Sequence, residues 1–304
     1  MLKKIRLDQT KTYELAVATQ EIAIMISAFL DGREHHQSLG SEQGDILKWD
    51  DFVIEHFNGT YEYIQVKRQM TDFLEGACSR DNYIQGTRLG QPRDLSPLDE
   101  SMKSLADWTK INDPSTASPQ RMFSIELPDT SIEIKTGYTV REFNNLCDTY
   151  IKPTTVAADM ITLAATDRAV KNGYEWLTTW CGFTDWDHIL KALKYLNVRQ
   201  TGDEGDIRKR TIEILSKYFN NADAIRQIIE SFVSDSSTFP NKVTPRPVYE
   251  KIQYDLRPEI ARWTQFSKFK NEWDISGTHD TRAIEEAGEI VKGLWVDIPL
   301  ILTT

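Results

Sequence analysis

Hydrophobic residues along the first third of the chain change from a helical period to a strand period. In residues 12–30 they recur every three or four positions, on one face of a predicted amphipathic helix. Residues 52–57 and 61–67 are instead rich in β-branched and aromatic side chains, which predicts two strands. Asn58-Gly59 between them is a strong tight-turn signal, so we expect the two strands to form an antiparallel hairpin.

A second helix and a further strand follow the hairpin. Ser96-Pro97 marks a helix start, and Asp99 stands where it completes a capping box. Residues 122–127 alternate as a strand does, and a strand–helix–strand connection places its two strands parallel. Residues 139–150 predict another helix behind the sheet. The order helix, hairpin, helix, strand therefore predicts an α/β fold for the first half of the chain.

The pattern becomes mainly helical after this unit. Four segments show helical periodicity with few strand signals between them: residues 156–177, 185–196, 206–219 and 222–233. Closely spaced prolines in residues 234–246 predict a linker, and residues 281–294 predict a final helix. The chain is therefore divided into an α/β domain, a helical region, and a linker with a helical partner-binding region, at residues 1–155, 156–235 and 236–304.

Composition and charge limit the class of protein. Of the 304 residues, 40% are hydrophobic and 27% are charged, as in a soluble globular protein. The formal net charge of −10 argues against a protein that coats nucleic acid with its whole surface, although phosphate contacts need only a local basic rim. Three widely spaced cysteines form neither a disulfide framework nor a zinc knuckle, which fits a reducing cytoplasm. We expect neither a secretion signal nor a membrane-spanning segment, and hence no membrane partner.

The hairpin gathers polar groups at its open end. Folding back about the turn brings Asp50 and Asp51, before the first strand, next to Gln65 and Lys67 at the end of the second. Gln65 and Lys67 are two residues apart, so their side chains share one face. A two-residue turn puts Asp50 on that face, whereas a three-residue bulged turn puts Asp51 there. Either register joins a carboxylate, an amide and an ammonium group.

Asp51, followed fourteen residues later by Gln65-Val66-Lys67 at the end of an apolar strand, resembles the PD-(D/E)xK restriction-endonuclease-like fold. The chain has the variant in which Gln replaces the second acid. The sequence segments DDFVIE and NGTYEYIQVKR are most similar to the nuclease domain of bacterial anti-phage effectors, such as CD-NTase-associated DNA endonucleases and the Lamassu nuclease subunit. The resemblance covers about the first half of the chain. It implies an αβββαβ core in residues 1–155, followed by a mainly helical C-terminal part.

The resemblance also implies roles for individual residues. Asp51 fits the family spacing better than Asp50 and is the expected metal ligand. Gln65 offers a neutral carbonyl oxygen to the same ion, and Asp45 is an additional or alternative ligand. Lys67 is expected to orient the attacking water and to stabilise developing negative charge.

The helix before the hairpin often presents a polar residue to the metal in this family. Glu21 is the candidate here, with Gln20 behind it. Glu14 lies seven residues earlier, so Glu14 and Glu21 share one stripe beside the apolar face of the predicted helix. The alternative interpretation of Glu21 is a solvated residue at the edge of that helix.

The function implied by the resemblance is Mg²⁺- or Mn²⁺-dependent hydrolysis of double-stranded DNA with little sequence specificity. Such a nuclease endangers its own cell, so we expect protein partner subunits or a homo-oligomer to control it. The alternative is a non-catalytic nuclease fold that serves as a scaffold or interaction subunit of a defence complex. An RNA-directed or tRNA-directed nuclease with the same residues is a third hypothesis, which no aromatic sheet surface supports.

Three further motifs receive less specific interpretations. His35-His36 is interpreted as part of an exposed loop, because no other His or Cys lies nearby at zinc-ligand spacing. The segment 203–206 is acidic but lacks the alternating pattern of a calcium loop, and it predicts a helix start. Three arginines on the loop that follows the hairpin are candidate phosphate contacts or simply solvated side chains: Arg80, Arg88 and Arg93.

Overall fold

The structure, a computed structural model, describes residues 9–33, 36–40, 46–49, 51–68, 95–117, 119–135, 137–234 and 242–261. The described helices and strands follow one another as α1 (Gln9–Leu30), β1 (His36–Gly40), β2 (Phe52–His56), β3 (Tyr61–Val66), α2 (Pro97–Ile111), β4 (Arg121–Leu127), β5 (Glu133–Lys135), β6 (Tyr138–Thr139), α3 (Val140–Asn145), a π-helical turn (Leu146–Ile151), α4 (Ala157–Ala164), α5 (Arg168–Thr179), α6 (Trp186–Leu193), β7 (Leu196–Gln200), α7 (Glu204–Leu215), α8 (Ala222–Ser234), α9 (Pro245–Ile252) and a 3-10 turn (Gln253–Asp255).

A five-stranded mixed sheet forms the centre, in the order β1-β2-β3-β4-β7. Strands β1, β2 and β3 pair antiparallel, whereas β3, β4 and β7 pair parallel. The elements from α1 to β4 follow the order helix, three strands, helix, strand. The predicted α/β fold with this element order is therefore confirmed.

The hairpin closes through a three-residue turn. The His56 N–H donates to the Thr60 carbonyl and the Gly59 N–H donates to the His56 carbonyl, each at 2.9 Å. Gly59 has φ +79°, a left-handed conformation that glycine adopts at little steric cost. Because Phe52 pairs with Ile64 in this register, Asp51 lies opposite Gln65 one residue further along. The bulged-turn alternative is the one that the chain adopts.

Apolar cores cover both faces of the sheet. On one face, Tyr13 and Val17 of α1 pack against a group that includes Ile64 and Val66 of β3. On the other face, residues of α2, α5 and α6 pack around Phe123 of β4. The part of α1 beyond the sheet packs against α7, α8 and α9. Helix α1 is long and apolar enough to cross a membrane. However, 67% of its apolar stretch, within Lys11–Leu30, is buried inside the protein, as in a core helix.

The second half of the chain departs from the predicted helical pattern in two places. The helix expected over residues 156–177 is two helices, because Asp167 caps α5 by accepting bonds from the Ala169 and Val170 N–H groups at 2.8 and 3.1 Å. Strand β7 lies within the region predicted to be helical and pairs parallel with β4, so this region contributes to the central sheet. The predicted domain boundary at residue 155 stays a prediction.

One loop prediction is also wrong, and several others lie outside the described residues. His36 is the buried first residue of β1, not part of an exposed loop. The predicted linker includes the start of α9, where Pro245 takes a first-turn position that needs no N–H donor. The final helix expected at 281–294 lies outside the described residues, as do His35, Asp45, Asp50, Arg80, Arg88 and Arg93.

Candidate active site

Three of the residues predicted to form a site meet at the open end of the hairpin. The Asp51 Oδ2 atom accepts hydrogen bonds from Gln65 Nε2 at 2.6 Å and from the Val66 backbone N–H at 2.9 Å. The Lys67 ammonium group donates to Asp51 Oδ1 at 3.1 Å and to Oδ2 at 2.9 Å. The carboxylate, amide and ammonium groups that the hairpin pattern predicted are thus in direct contact.

Helix α1 adds a second carboxylate to this site. The Lys67 ammonium group donates to Glu14 Oε1 at 3.3 Å, so it lies between two acids. The side chains of Lys67, Glu14 and Asp51 are 26%, 30% and 20% exposed, which leaves the site accessible to a ligand from solvent. Burial lowers the pKa of Lys67, but Asp51 and Glu14 outweigh burial and raise the pKa above its ordinary value. Lys67 is therefore a stable cation at neutral pH.

Gln65 presents an oxygen that has no hydrogen-bond donor in the described part of the chain. Its side chain is buried, and because Nε2 faces Asp51, Oε1 must point elsewhere. A buried carbonyl oxygen without a partner costs about 1–3 kcal/mol, which a cation or a water molecule would offset. The two carboxylates are hard oxygen ligands of the kind that Mg²⁺ prefers, and the Gln65 oxygen would join them if its amide turned over to face the Asp51 carboxylate.

The small number of carboxylates at the site limits how many protein ligands such an ion would have. Among the described residues, no group of three or more His, Cys, Asp and Glu side chains is arranged to bind a metal ion. An ion at this site would take Asp51 and Gln65 as protein ligands and complete its coordination with water and with Glu14 or substrate oxygens. Asp45, the additional ligand predicted from the sequence, lies outside the described residues.

The acid of α1 that reaches the site is Glu14 and not the predicted Glu21. Glu21, the predicted residue, lies two helical turns further along α1, about 10 Å away along the helix axis. It is buried against the sheet, near Glu126, Arg199 and Glu62. The pattern placed Glu14 and Glu21 on one stripe, but it could not show which of them faces the end of the hairpin.

A buried polar cluster between α1 and the sheet joins the buried carboxyl groups of Glu21, Glu62 and Glu126 to Arg199, which is half-buried. Arg199 of β7 donates to Glu62 Oε1 at 2.6 Å and to Glu126 Oε1 at 3.1 Å. Burial alone would raise the pKa of Glu62, but contacts with His56, Arg199 and Ser124 lower it to about 2. Burial and the neighbouring carboxylates raise the pKa of Glu21 to about 8, and burial also raises that of Glu126. The cluster therefore keeps one carboxylate ionised and another protonated near neutral pH.

The Glu21 carboxyl group should make the stability of the protein depend on pH. Between pH 4.5 and about 8 the folded protein retains a proton that the unfolded chain releases, so stability falls as pH rises. The slope from a single such group is at most about 1.4 kcal/mol per pH unit. We expect Glu21→Gln to remove this slope, measured as the difference between the unfolding free energies of variant and wild type from pH 5 to 8. Glu133→Gln, which changes an exposed carboxylate, is the control, and a difference that stays constant with pH for Glu21→Gln would contradict the assignment.

Comparisons with known proteins gave matches among solved structures. No protein family profile and no curated protein sequence matches the chain. Seven solved chains match this one. The Cap4 SAVED/CARF-domain containing receptor of Acinetobacter baumannii, solved with the cyclic trinucleotide 3′3′3′-cAAA, shares 10% identity at a TM-score of 0.42 over 86% of this chain and 48% of its own.

A second receptor gives a similar result. The Moraxella osloensis Cap4 SAVED/CARF-domain containing receptor shares 11% identity at a TM-score of 0.37, over 76% of this chain and 44% of its own. The Acinetobacter baumannii receptor solved without a named ligand shares 8% identity at a TM-score of 0.39. This chain spans about half the length of the receptors that it matches.

Proposed function

We propose that this chain is a metal-dependent nuclease that hydrolyses phosphodiester bonds of double-stranded DNA. The observation that supports the proposal most directly is the contact of Lys67 and Gln65 with the Asp51 carboxylate at a solvent-accessible end of the sheet. Glu14 completes the group from α1. Such a set of oxygen ligands beside an ammonium group is what metal-assisted attack of water on a phosphate requires.

Each side chain has a defined part in this proposal. Asp51, Gln65 Oε1 and Glu14 would hold Mg²⁺ or Mn²⁺, which neutralises phosphate charge and lowers the pKa of a bound water when present. Lys67 is a hydrogen-bond donor and not a general base, because its two acidic neighbours stabilise its proton. It would stabilise negative charge that develops on the phosphate oxygens. The Val66 N–H and Gln65 Nε2 fix the orientation of the Asp51 carboxylate.

The biological setting follows from the sequence resemblance to nuclease domains of anti-phage effectors. We propose a defence nuclease of low sequence specificity, since contacts with the phosphate backbone carry little base information. Partner subunits or self-association would restrain it until infection.

A non-catalytic scaffold with a nuclease fold is the second candidate. It is favoured by one feature of the site, because Lys67 already neutralises both oxygens of Asp51 in an ion pair that is complete without a metal. In this case the hairpin end would have a structural role only.

Cleavage of supercoiled plasmid DNA tests the proposal. Wild-type protein with Mg²⁺ or Mn²⁺, over a range of concentrations that favours assembly, is expected to nick and then linearise the plasmid, and chelator should stop it. Asp51→Asn and Glu14→Gln should each lower the initial rate, the first by at least about 100-fold, because each removes a charged ligand. Glu21→Gln is the matched control, since Glu21 lies in the buried polar cluster, and its rate should equal that of wild type.

The outcomes separate the two candidates. Metal-dependent cleavage that Asp51→Asn abolishes and Glu21→Gln preserves supports the nuclease and locates its metal site. If wild type is inert at every concentration with both metals, the scaffold is the better account. Equal cleavage by wild type and Asp51→Asn would show that the activity does not arise at this site.

A further inference from the structure

We propose that Lys48 is a positioning residue for Asp51, and that it acts through its left-handed backbone conformation rather than through its side chain. The inference rests on the proposed nuclease function, because it concerns the carboxylate to which that function assigns the metal ion. Residues 46–49, called here the anchoring turn, carry the argument. This turn is fixed to helix α2 just before the chain reaches Asp51.

The anchoring turn contains an unfavourable backbone conformation. Lys48 has φ +66°, and it is the one non-glycine residue with a positive φ in the part of the chain that the structure describes. The Trp49 N–H donates to the Ile46 carbonyl at 3.2 Å, so Lys48 is the third residue of a β-turn. A positive φ at the third position alone is typical of a type II turn, where glycine or asparagine is the usual residue. Such strain persists only where the surrounding contacts over-determine the backbone.

Helix α2 supplies these contacts. The indole N–H of Trp49, which is fully buried, donates to the Ser101 carbonyl at 2.8 Å. The Leu47 carbonyl accepts a hydrogen bond from Ser104 Oγ. The Trp49 ring also packs edge-on against Phe123 of β4, with 5.1 Å between the ring centroids. Contacts on both sides of the strained residue therefore hold the turn against the helix.

The Lys48 side chain contributes little to this arrangement. Its ammonium group pairs with Glu100 at 2.9 Å, but the two side chains are 48% and 42% exposed. An ion pair between exposed side chains adds little to stability, because water screens it. The anchoring turn therefore depends on the backbone conformation at this position and not on the charge.

The anchoring turn determines where the chain enters the site. Asp51 follows two residues after Trp49 and directly precedes Phe52, whose pairing with Ile64 fixes the chain on the other side. The Asp51 Oδ2 atom accepts a bond from the Val66 N–H at 2.9 Å, so the strength of this bond reports the position of the carboxylate. A displacement of about 1 Å at a reacting group can lower a rate about 100-fold, so the turn should matter for catalysis.

Amide hydrogen exchange measured by NMR tests the proposal without any enzymatic activity, because it reports local opening. Lys48→Val places a β-branched side chain at the positive φ and should raise the exchange rate of the Val66 amide about tenfold. Lys48→Gly fits this φ and should stay within about twofold of wild type. Asp51→Ala removes the acceptor and gives the rate for the open bond. The Tyr61 amide, which donates to the Gln120 carbonyl at 2.9 Å at the other end of β3, is the control for loosening of the whole strand.

Plasmid cleavage gives a second measurement on the same variants. At saturating DNA, Lys48→Val should lower the rate about tenfold and leave the DNA concentration for half-maximal rate unchanged, because the turn positions a ligand and does not bind DNA. Lys48→Gly should cleave as wild type does.

The outcomes separate this proposal from the proposed function. Faster exchange confined to the Val66 amide in Lys48→Val supports the positioning role even when wild type cleaves no DNA, in which case only the nuclease fails. The positioning role is overturned if the Val66 and Tyr61 amides accelerate equally or not at all, or if Lys48→Gly behaves as Lys48→Val does. Unchanged cleavage by Lys48→Val beside an active wild type overturns it as well.

Discussion

Lys67→Ala is expected to lower the initial rate of plasmid cleavage by about 100- to 1,000-fold, the usual cost of removing one donor that stabilises a transition-state charge. In the described structure Lys67 is the cation that contacts the Asp51 carboxylate, and its second contact with Glu14 holds the ammonium group in place. Because the net charge is −10, the protein as a whole repels DNA, so a fixed cation at the phosphate site should contribute more to binding the phosphate.

The loss of rate should not result from unfolding. Without Lys67, the Asp51 carboxylate still accepts bonds from Gln65 Nε2 and the Val66 N–H, and it is partly accessible to water. An ion pair at this degree of exposure contributes about 1 kcal/mol or less to stability. The thermal midpoint of Lys67→Ala should therefore stay within a few degrees of wild type. Rates measured under single-turnover conditions separate the chemical step from product release.

A matched lysine provides the control. Lys135 is also partly buried and pairs with Glu175 at 3.2 Å, on the β5–β6 hairpin and α5 rather than at the site. Lys135→Ala should cleave DNA as wild type does. Full activity of folded Lys67→Ala would show that the Lys67 ammonium group does not stabilise the transition state.

The hairpin end could be predicted from the sequence because local signals determine it. The turn residues Asn58-Gly59 and the two flanking strands specify an antiparallel pair whose ends meet. What remained open was the register, since turns of two and of three residues are both compatible with that dipeptide. The positive φ of Gly59 and the bonds between His56 and Thr60 select the three-residue turn, and thereby Asp51.

The features that could not be predicted depend on contacts between distant parts of the chain. Whether Glu14 or Glu21 reaches the site depends on how α1 crosses the sheet, which helical periodicity does not determine. Strand β7 is short and half polar, and it forms because its backbone pairs with β4 across more than sixty residues of intervening chain. Arg199, which lies on β7, was therefore not predicted either, although it donates hydrogen bonds to two carboxylates of the buried polar cluster.

Arg199→Met should destabilise the folded protein by about 3 kcal/mol at neutral pH. The substitution leaves Glu62 and Glu126, whose side chains are 5% and 3% exposed, without the cation that they share. Removing one partner of a buried ion pair typically costs about 3–5 kcal/mol, and the lower end applies because the Arg199 side chain is 40% exposed and water can partly replace it. Urea unfolding followed by tryptophan fluorescence measures the change as a lower midpoint at an unchanged slope.

The dependence of this loss on pH distinguishes an electrostatic cause from a packing defect. Without Arg199 the pKa values of Glu62 and Glu126 rise, so these carboxyl groups take up protons in the folded state and relieve their repulsion as pH falls. A group whose pKa is raised by folding costs stability as pH rises, and the loss in Arg199→Met should therefore shrink from pH 8 to pH 5. Arg246→Met removes an exposed ion pair with Glu250 and should change stability by no more than about 0.5 kcal/mol at any pH. A loss that is equally large at pH 5 and pH 8 would mean that Arg199 acts through packing of its side chain and not through its charge.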